Sequence, residues 1–278
     1  MAQVIGLIAG LGRLPQIWTL RAKERGACVT VIRAVPGAFE DAKAAGADAV
    51  CDVFAGEWGR VVATLKEHGV TQVYLIGKIA RDLLFGQGSF DQRCREVLGR
   101  LGARSNDDAL IEAFVSDLAR EGIEVGRQAE YLDHLLTEAG VMGRRVPTPA
   151  EWFDLVRGYQ VAKAIAGLDV GQTAVVKEGA VLAVEAIEGT DRAIARGLAI
   201  GRGGVVVKVA KPHQDPRFDV PTIGMDTLRT VVEHGGSVLA FDAGQTFVLD
   251  REECLAYADQ HGVSLVSYVP GMERTVGG

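Results

Sequence analysis

The sequence predicts an α/β protein of two domains. These are a Rossmann-like N-terminal domain with a parallel sheet over residues 1–143, a linker over 144–152, and a second α/β domain with a mixed sheet over 153–278. Three observations carry this expectation. In the first half, short apolar runs alternate with amphipathic segments, the pattern of parallel strands joined by crossover helices. Between Gly143 and Trp152, the stretch GRRVPTPAEW carries two prolines and two arginines without periodicity, which marks a boundary. Beyond it, strands and helices recur with turn residues that imply hairpins and therefore a mixed strand order.

Taken in order, VIGLIA from Val4 to Ala9 is a buried strand, and a glycine turn leads to a helix over Leu14 to Glu24. CVTVI from Cys28 and AVCDVF from Ala49 are the next two strands. WGRVVATLKEHG has helical spacing and a glycine stop at Gly69, and QVYLIG from Gln72 is a fourth strand. SNDDALIEAFVSDLAREG opens with capping residues Ser105 and Asn106 and with Asp107 and Asp108 in its first turn, as a helix N-terminus should. In the second half, TAVVKEGAVLAVEAIE reads as two strands about Glu178-Gly179, DRAIARGLA as a short helix and GGVVVKVA as a strand. MDTLRTVVEHGG is a helix stopped by Gly235, SVLAFDAGQTFVLD a hairpin about Ala243-Gly244, REECLAYADQHG a helix and VSLVSYV the last strand.

Composition narrows the function. With 278 residues, 48% hydrophobic and 24% charged, the chain can bury a large core and is not disordered. A formal charge of −6 leaves no general basic face, so nucleic acid is not an expected partner. Cys28, Cys51, Cys94 and Cys254 are scattered without a CxxC and are expected to be reduced, buried thiols. The first apolar run stops at Gly10 without a basic flank, and no window approaches the ~20 apolar residues of a membrane span, so a cytoplasmic protein is expected.

Four places could carry chemistry. GLGRLP, from Gly10 through Leu11 and Gly12 to Pro15, follows a strand and opens a helix, as a phosphate-holding turn does. Pro15 at the third glycine position, and Arg33 where a ribose-binding acid is expected, argue against nicotinamide binding. Gly77 and Lys78 stand past the end of the fourth strand, on the edge where doubly wound sheets bind ligands, although Lys78 reads equally as an ordinary surface lysine. Glu188, Gly189, Thr190 and Asp191 sit at a strand-to-helix turn, suited either to polar ligands or a hard cation, or to a Thr190 cap with an acidic first turn. KVAKPHQDPRFDVPTIG, Lys208 to Gly224, gathers Lys208, Lys211, Gln214, Asp215, Arg217 and Asp219 around Pro212, Pro216 and Pro221. Surface ion pairs contribute only ~0–1 kcal/mol each, a weak reason to build so rigid a loop. Cations for phosphate oxygens beside carboxylates for Mg²⁺ or a water point instead to a phosphate-handling site.

At these residues the chain resembles a known family. GLIAGLGRLP, IGKIARD, NDDALI, LDVGQTAVVKEG, AVEAIEGTD and VKVAKPHQDPRFDVPTIG, in order from Ile5 to the last strand, resemble the LpxI-type UDP-2,3-diacylglucosamine pyrophosphatases of lipid A biosynthesis. The resemblance implies a metal-dependent hydrolase, with Mg²⁺ or another divalent cation such as Mn²⁺, that splits the substrate into lipid X and UMP. It implies a homodimer of two-domain chains with the ligand held between domains, and peripheral contact with the inner membrane follows from the acyl chains. The essential aspartate falls on Asp219, which would bind the metal or orient the attacking water, with Asp215 as a further candidate metal ligand and with Lys211 and Arg217 lining the diphosphate or the metal. Gly10, Leu11, Gly12, Gly77, Lys78, Lys177, Glu188, Gly189, Thr190, Asp191, Lys208, Gln214 and Thr222 would bind substrate. Two other readings compete: a nicotinamide-dependent reductase using the glycine turn, and a non-catalytic protein that binds a nucleotide sugar or phospholipid.

Overall fold

The computed structural model describes residues 3–79, 90–101 and 107–276. They divide into two compact units, residues 1–132 with 216–218, and residues 133–215 with 219–278. Ala80, Arg81 and Asp82 of the IGKIARD motif, and the expected caps Ser105 and Asn106, lie outside the described residues.

The first unit is built on β1 (Val4–Ala9), β2 (Cys28–Arg33), β3 (Ala49–Asp52), β4 (Gln72–Ile76) and β5 (Glu124–Val125). They form a five-stranded sheet in the order β3-β2-β1-β4-β5, and every pairing is parallel. Ile5, Leu7 and Ala9 of β1 are 0% exposed, because a central parallel strand is covered on both faces and reads as one apolar run. Helix α1 (Leu14–Glu24) starts with Pro15 in its first turn, and α2 (Trp58–Glu67) follows β3. A Cβ on Gly6 would lie 2.8 Å from the Leu65 side chain of α2 and 2.9 Å from Val70, so a larger residue there would force both to shift. Helices α3 (Gln92–Gly99), α4 (Asp107–Arg120) and α5 (Ala129–Leu132) complete the unit.

The second unit carries β6 (Gly140–Val141), β7 (Thr173–Lys177), β8 (Ala180–Val184), β9 (Val205–Lys208), β11 (Val238–Asp242) and β13 (Ser264–Tyr268) in one sheet. Its order is β6-β13-β11-β9-β7-β8, and β10 (Thr222–Ile223) pairs separately with β12 (Phe247–Val248). β9, β11 and β13 run parallel, while β6, β7 and β8 join antiparallel, so this sheet is mixed as expected. Helices α6 (Pro149–Gly167), α7 (Thr190–Ile200), α8 (Met225–Glu233), α9 (Arg251–His261) and α10 (Glu273–Val276) accompany the sheet.

Two expectations are corrected. β11 and β12 do not form a hairpin about Ala243-Gly244, because β11 pairs with β9 and β13 while β12 pairs with β10. Helix α6, the longest described at 19 residues, went unread, and residues 149–152 of the expected linker form its first turn. Thr148 caps α6 in a reciprocal box with Glu151, and Gly158 brings the helix against β9, since a Cβ there would lie 2.7 Å from Val207.

Candidate active site

In the second unit the parallel strands β9, β11 and β13 end at Lys208, Asp242 and Tyr268. Register pairs Phe241 with Lys208 and Asp242 with Tyr268, which brings these ends to one sheet edge. The carboxyl edge of parallel strands is where α/β sheets hold ligands. The proline-rich loop leaves from this edge.

The loop is clamped near its start. Asp242, 2% exposed, accepts from the Ala210 amide at 2.7 Å through Oδ2 and from Lys163 Nζ of α6 at 2.6 Å. Lys163 Nζ also donates to the Ala210 carbonyl at 2.9 Å, so one ion pair satisfies both backbone groups of a residue two positions past the end of β9.

The Lys211 side chain, 14% exposed, sits between two carboxylates, with Nζ 2.9 Å from Asp169 Oδ1 and 3.6 Å from Asp219 Oδ2. Both aspartates hold left-handed backbone, φ 56° at Asp169 and 59° at Asp219. Aspartate tolerates that region better than most residues, yet two such corners around one ammonium are held by their surroundings rather than by local preference. Asp219 remains 47% exposed, and Asp215 is half-buried in the same loop. Gln214 closes the turn after Lys211, accepting from the Lys211 amide at 3.1 Å through Oε1 and returning its own amide to the Lys211 carbonyl at 3.1 Å. Lys208 Nζ donates to the Thr222 carbonyl at 2.9 Å, and the loop ends as Thr222 pairs with Phe247 in β10 and β12.

Arg217 is placed elsewhere. Residues 216–218 belong to the first unit, where Pro216 accepts from the Gln128 amide at 2.9 Å and Arg217 Nη2 pairs with Glu112 at 2.6 Å. Buried Phe218, 5% exposed, lies beneath the Arg217 guanidinium with its ring centroid 5.9 Å away.

The Glu188 turn is organised by bonds within itself. Gly189, φ 86°, is the residue before α7 and no side chain caps that helix, so the Thr190 cap, one of the two readings of this turn, does not form. Thr190 Oγ1 instead donates to Glu185 at 3.0 Å, whose other oxygen accepts from the Gln172 amide at 3.2 Å. Glu188 pairs with Arg196 at 2.6 Å, and Arg196 holds its carboxyl below the ordinary range. Asp191 is exposed. A Cβ on Gly171 would lie 2.2 Å from the Glu185 carbonyl, so the loop carrying Asp169 runs directly against this turn. Three large apolar side chains flank these loops in the open: Leu168 at 75%, Val170 at 46% and Ile187 at 104% exposure.

Lys177 is not brought to this edge. β7 runs antiparallel to β9, pairing Thr173 with Lys208 and Val176 with Val205. Lys177 therefore ends at the opposite edge, about 13 Å along the sheet at ~3.3 Å per residue, where it is 3.9 Å from Glu178.

In the first unit, the turns after β1 and β4 are zipped together. Gly10 N donates to the Ile76 carbonyl at 2.8 Å, Leu11 N to the Lys78 carbonyl at 2.8 Å, and Lys78 N to the Leu11 carbonyl at 2.9 Å. A Cβ on Gly10 would lie 2.7 Å from Gly77 C, and Gly77 holds φ 96°. These two glycines thus serve backbone approaching backbone, and the amides of Gly10 and Leu11, expected to be available to a ligand, are committed. Gly12, φ 99°, has open space around it, and Lys78 is exposed.

Sequence reasoning missed Asp169, Lys163 and Asp242. Asp169 lies in LDVGQ, a motif noted only as part of a resemblance, and the other two meet across 79 residues of chain. Among the described residues, no three His, Cys, Asp or Glu gather as a ready metal cage, and no helix is long and apolar enough to cross a membrane.

Comparison with known proteins gives this arrangement a family. The LpxI N-terminal domain matches residues 4–135 and the LpxI C-terminal domain matches residues 138–266. UDP-2,3-diacylglucosamine pyrophosphatase LpxI of Caulobacter vibrioides is 35% identical over 280 residues, covering 96% of this chain and 98% of that protein. The chain belongs to the LpxI family.

Proposed function

We propose that the chain is a hydrolase that cleaves the pyrophosphate bond of UDP-2,3-diacylglucosamine, yielding 2,3-diacylglucosamine 1-phosphate and UMP. The near full-length similarity to a relative named for that reaction supports it, and one geometric observation carries the chemistry: Lys211 Nζ held between Asp169 and Asp219 at a carboxyl sheet edge. An ammonium there neutralises a phosphoryl oxygen, and a carboxylate beside it orients a water. Water oxygen forms the new P–O bond, the bridging P–O bond breaks with its electron pair leaving on the departing phosphate, and Asp219 receives the proton. Lys208, at the end of β9, adds positive charge for the phosphates.

The chemistry of two carboxylates in this loop would suit a divalent cation. Asp219 and Asp215 offer hard carboxylate oxygens, and Mg²⁺ or Mn²⁺ is commonly held by one or two carboxylates completed by substrate phosphates. Such a cation would stabilise the charge that develops on the phosphoryl oxygens. Leu168, Val170 and Ile187 are the apolar surface proposed for the acyl chains, and the same surface is the basis for proposing peripheral contact with the inner membrane. The order β3-β2-β1-β4-β5, with its reversal at β1, supports a Rossmann-like reading of the first unit. The homodimer is carried as the resemblance implies it. A UMP-release assay with and without EDTA tests the reading: release that EDTA stops supports it, and no release with Mg²⁺ present overturns it.

A further inference from the structure

Helix α6 ends in the two bonds that fold a chain back onto its own helix. Asp169 N donates to the Ala166 carbonyl at 3.1 Å, and Val170 N donates to the Ile165 carbonyl at 3.0 Å. This closure puts its corner residue into left-handed backbone, where a side chain crowds the backbone and glycine does not. Helices α1, α2, α4 and α8 close with the same pair of bonds, and their corners are Gly26, Gly69, Gly122 and Gly235, at φ of 79°, 67°, 75° and 76°. In α6 the corner is Asp169, at φ 56°. For ending a helix aspartate is the poorer choice, so the reason for it lies in its carboxylate.

That carboxylate reaches Lys211. Oδ1 is 2.9 Å from Nζ, within hydrogen-bond distance, whereas Asp219 Oδ2 stands beyond it at 3.6 Å. Both segments that carry the closer pair are fixed. The Val209 amide donates to the Gln172 carbonyl at 2.9 Å, which ties the end of β9 to the loop that follows Asp169. Glu185 braces the same loop, accepting from the Gln172 amide at 3.2 Å through Oε2 and from the Thr190 hydroxyl at 3.0 Å through Oε1. A partly exposed ion pair adds little to stability, which is a weak reason to prefer aspartate at a corner that suits glycine. What the carboxylate adds is a single place for an ammonium.

We infer that Asp169 is a positioning residue, which holds the Lys211 ammonium beside Asp219 so that Lys211 meets a phosphoryl oxygen without reorganising. The inference rests on the hydrolysis proposed above, but one of its readouts needs no turnover. Asp169→Gly should melt at or above the wild-type temperature, because it supplies the residue the corner prefers. Its kcat for UMP release should nonetheless fall about 10²-fold, the loss of one positioned donor, with KM within about threefold of wild type. Asp169→Asn suits left-handed backbone and keeps one acceptor oxygen, so it should recover part of that kcat. In a Lys211→Met background, Asp169→Gly should change the residual kcat by less than about twofold, because its effect passes through Lys211. Without substrate, acylation by an amine-reactive reagent, read by mass spectrometry, should modify Lys211 faster in Asp169→Gly than in wild type. If Asp169→Gly fails to fold, Asp169→Asn carries the labelling and the double-variant comparison. The inference is overturned by a kcat that survives Asp169→Gly, a loss of kcat accompanied by lower melting, an equal loss in the Lys211→Met background, or unchanged labelling of Lys211. A wild-type chain that releases no UMP removes the hydrolysis and leaves the labelling to decide whether Asp169 holds Lys211.

Discussion

Lys163 and Asp242 meet at 2.6 Å, and between them they hold both the amide and the carbonyl of Ala210. Breaking a buried pair by removing one partner costs about 3–5 kcal/mol. Asp242→Ala should therefore unfold at markedly lower urea. The double variant Lys163→Met with Asp242→Leu should recover most of that stability, because no unpaired charge stays buried, while UMP release stays low because Ala210 loses its anchor. Recovery of stability and activity together would show that the pair does not position the loop.

Asp219 combines an exposed carboxylate with a left-handed φ of 59°. Loss of the group that orients water and takes its proton should slow UMP release by about 10²–10⁴-fold in both Asp219→Ala and Asp219→Gly. Stability should separate the two, with the glycine variant about 1 kcal/mol more stable than the alanine variant, since alanine pays a steric cost at positive φ. Single-turnover assays and chemical denaturation read the two effects independently.

Leu168, Val170 and Ile187 expose apolar side chains next to the Asp169 and Glu185 loops. Changing Leu168 and Ile187 to serine should raise KM for the diacylated substrate about tenfold, roughly the loss of part of a buried aliphatic contact. Turnover of a short-chain analogue should be little changed. Equal effects on both substrates would remove the acyl chains from this surface.

Acid stability has a local source in the second unit. Burial raises the Glu151 carboxyl, but Arg145, Ser237 and the Thr148 amide outweigh it and bring it from the ordinary 4.5 down to about 2. A depressed carboxyl stabilises the fold fully above its unfolded value and loses that contribution as pH falls toward its folded value. Glu151→Gln should lower stability at neutral pH and flatten the decline between about pH 4.5 and 2, as followed by urea unfolding at stepped pH.

Four of the five strands of the first unit were legible because buried parallel strands announce themselves as unbroken apolar runs, as VIGLIA does, whereas β5, only Glu124–Val125, is too short to show a pattern. Helix α6 was not, because small residues such as Gly158, Ala162 and Ala166 fill part of its buried stripe and blur its periodicity. Its T-P-A-E start, a cap with proline at the first helical position, was the signal available. Ala243-Gly244 misled for a different reason: a turn residue reports that the chain bends, and says nothing about which strand the next segment joins. In the loop from Lys208, the prolines and charges marked the candidate site by themselves. Asp169 and Asp242 reach Lys211 and Ala210 only through tertiary structure, where local pattern carries no information.

Pro216 to Phe218 count with the first unit although 83 residues of the second, 133 to 215, precede them. A polypeptide severed after Leu132 would thus leave its leading fragment without the carbonyl that the Gln128 amide bonds and without the partner of Glu112. Separate expression of the halves should give an N-terminal piece that melts early, rescued by adding the C-terminal piece in trans. Gene fission at this seam divides the sequence without dividing the protein.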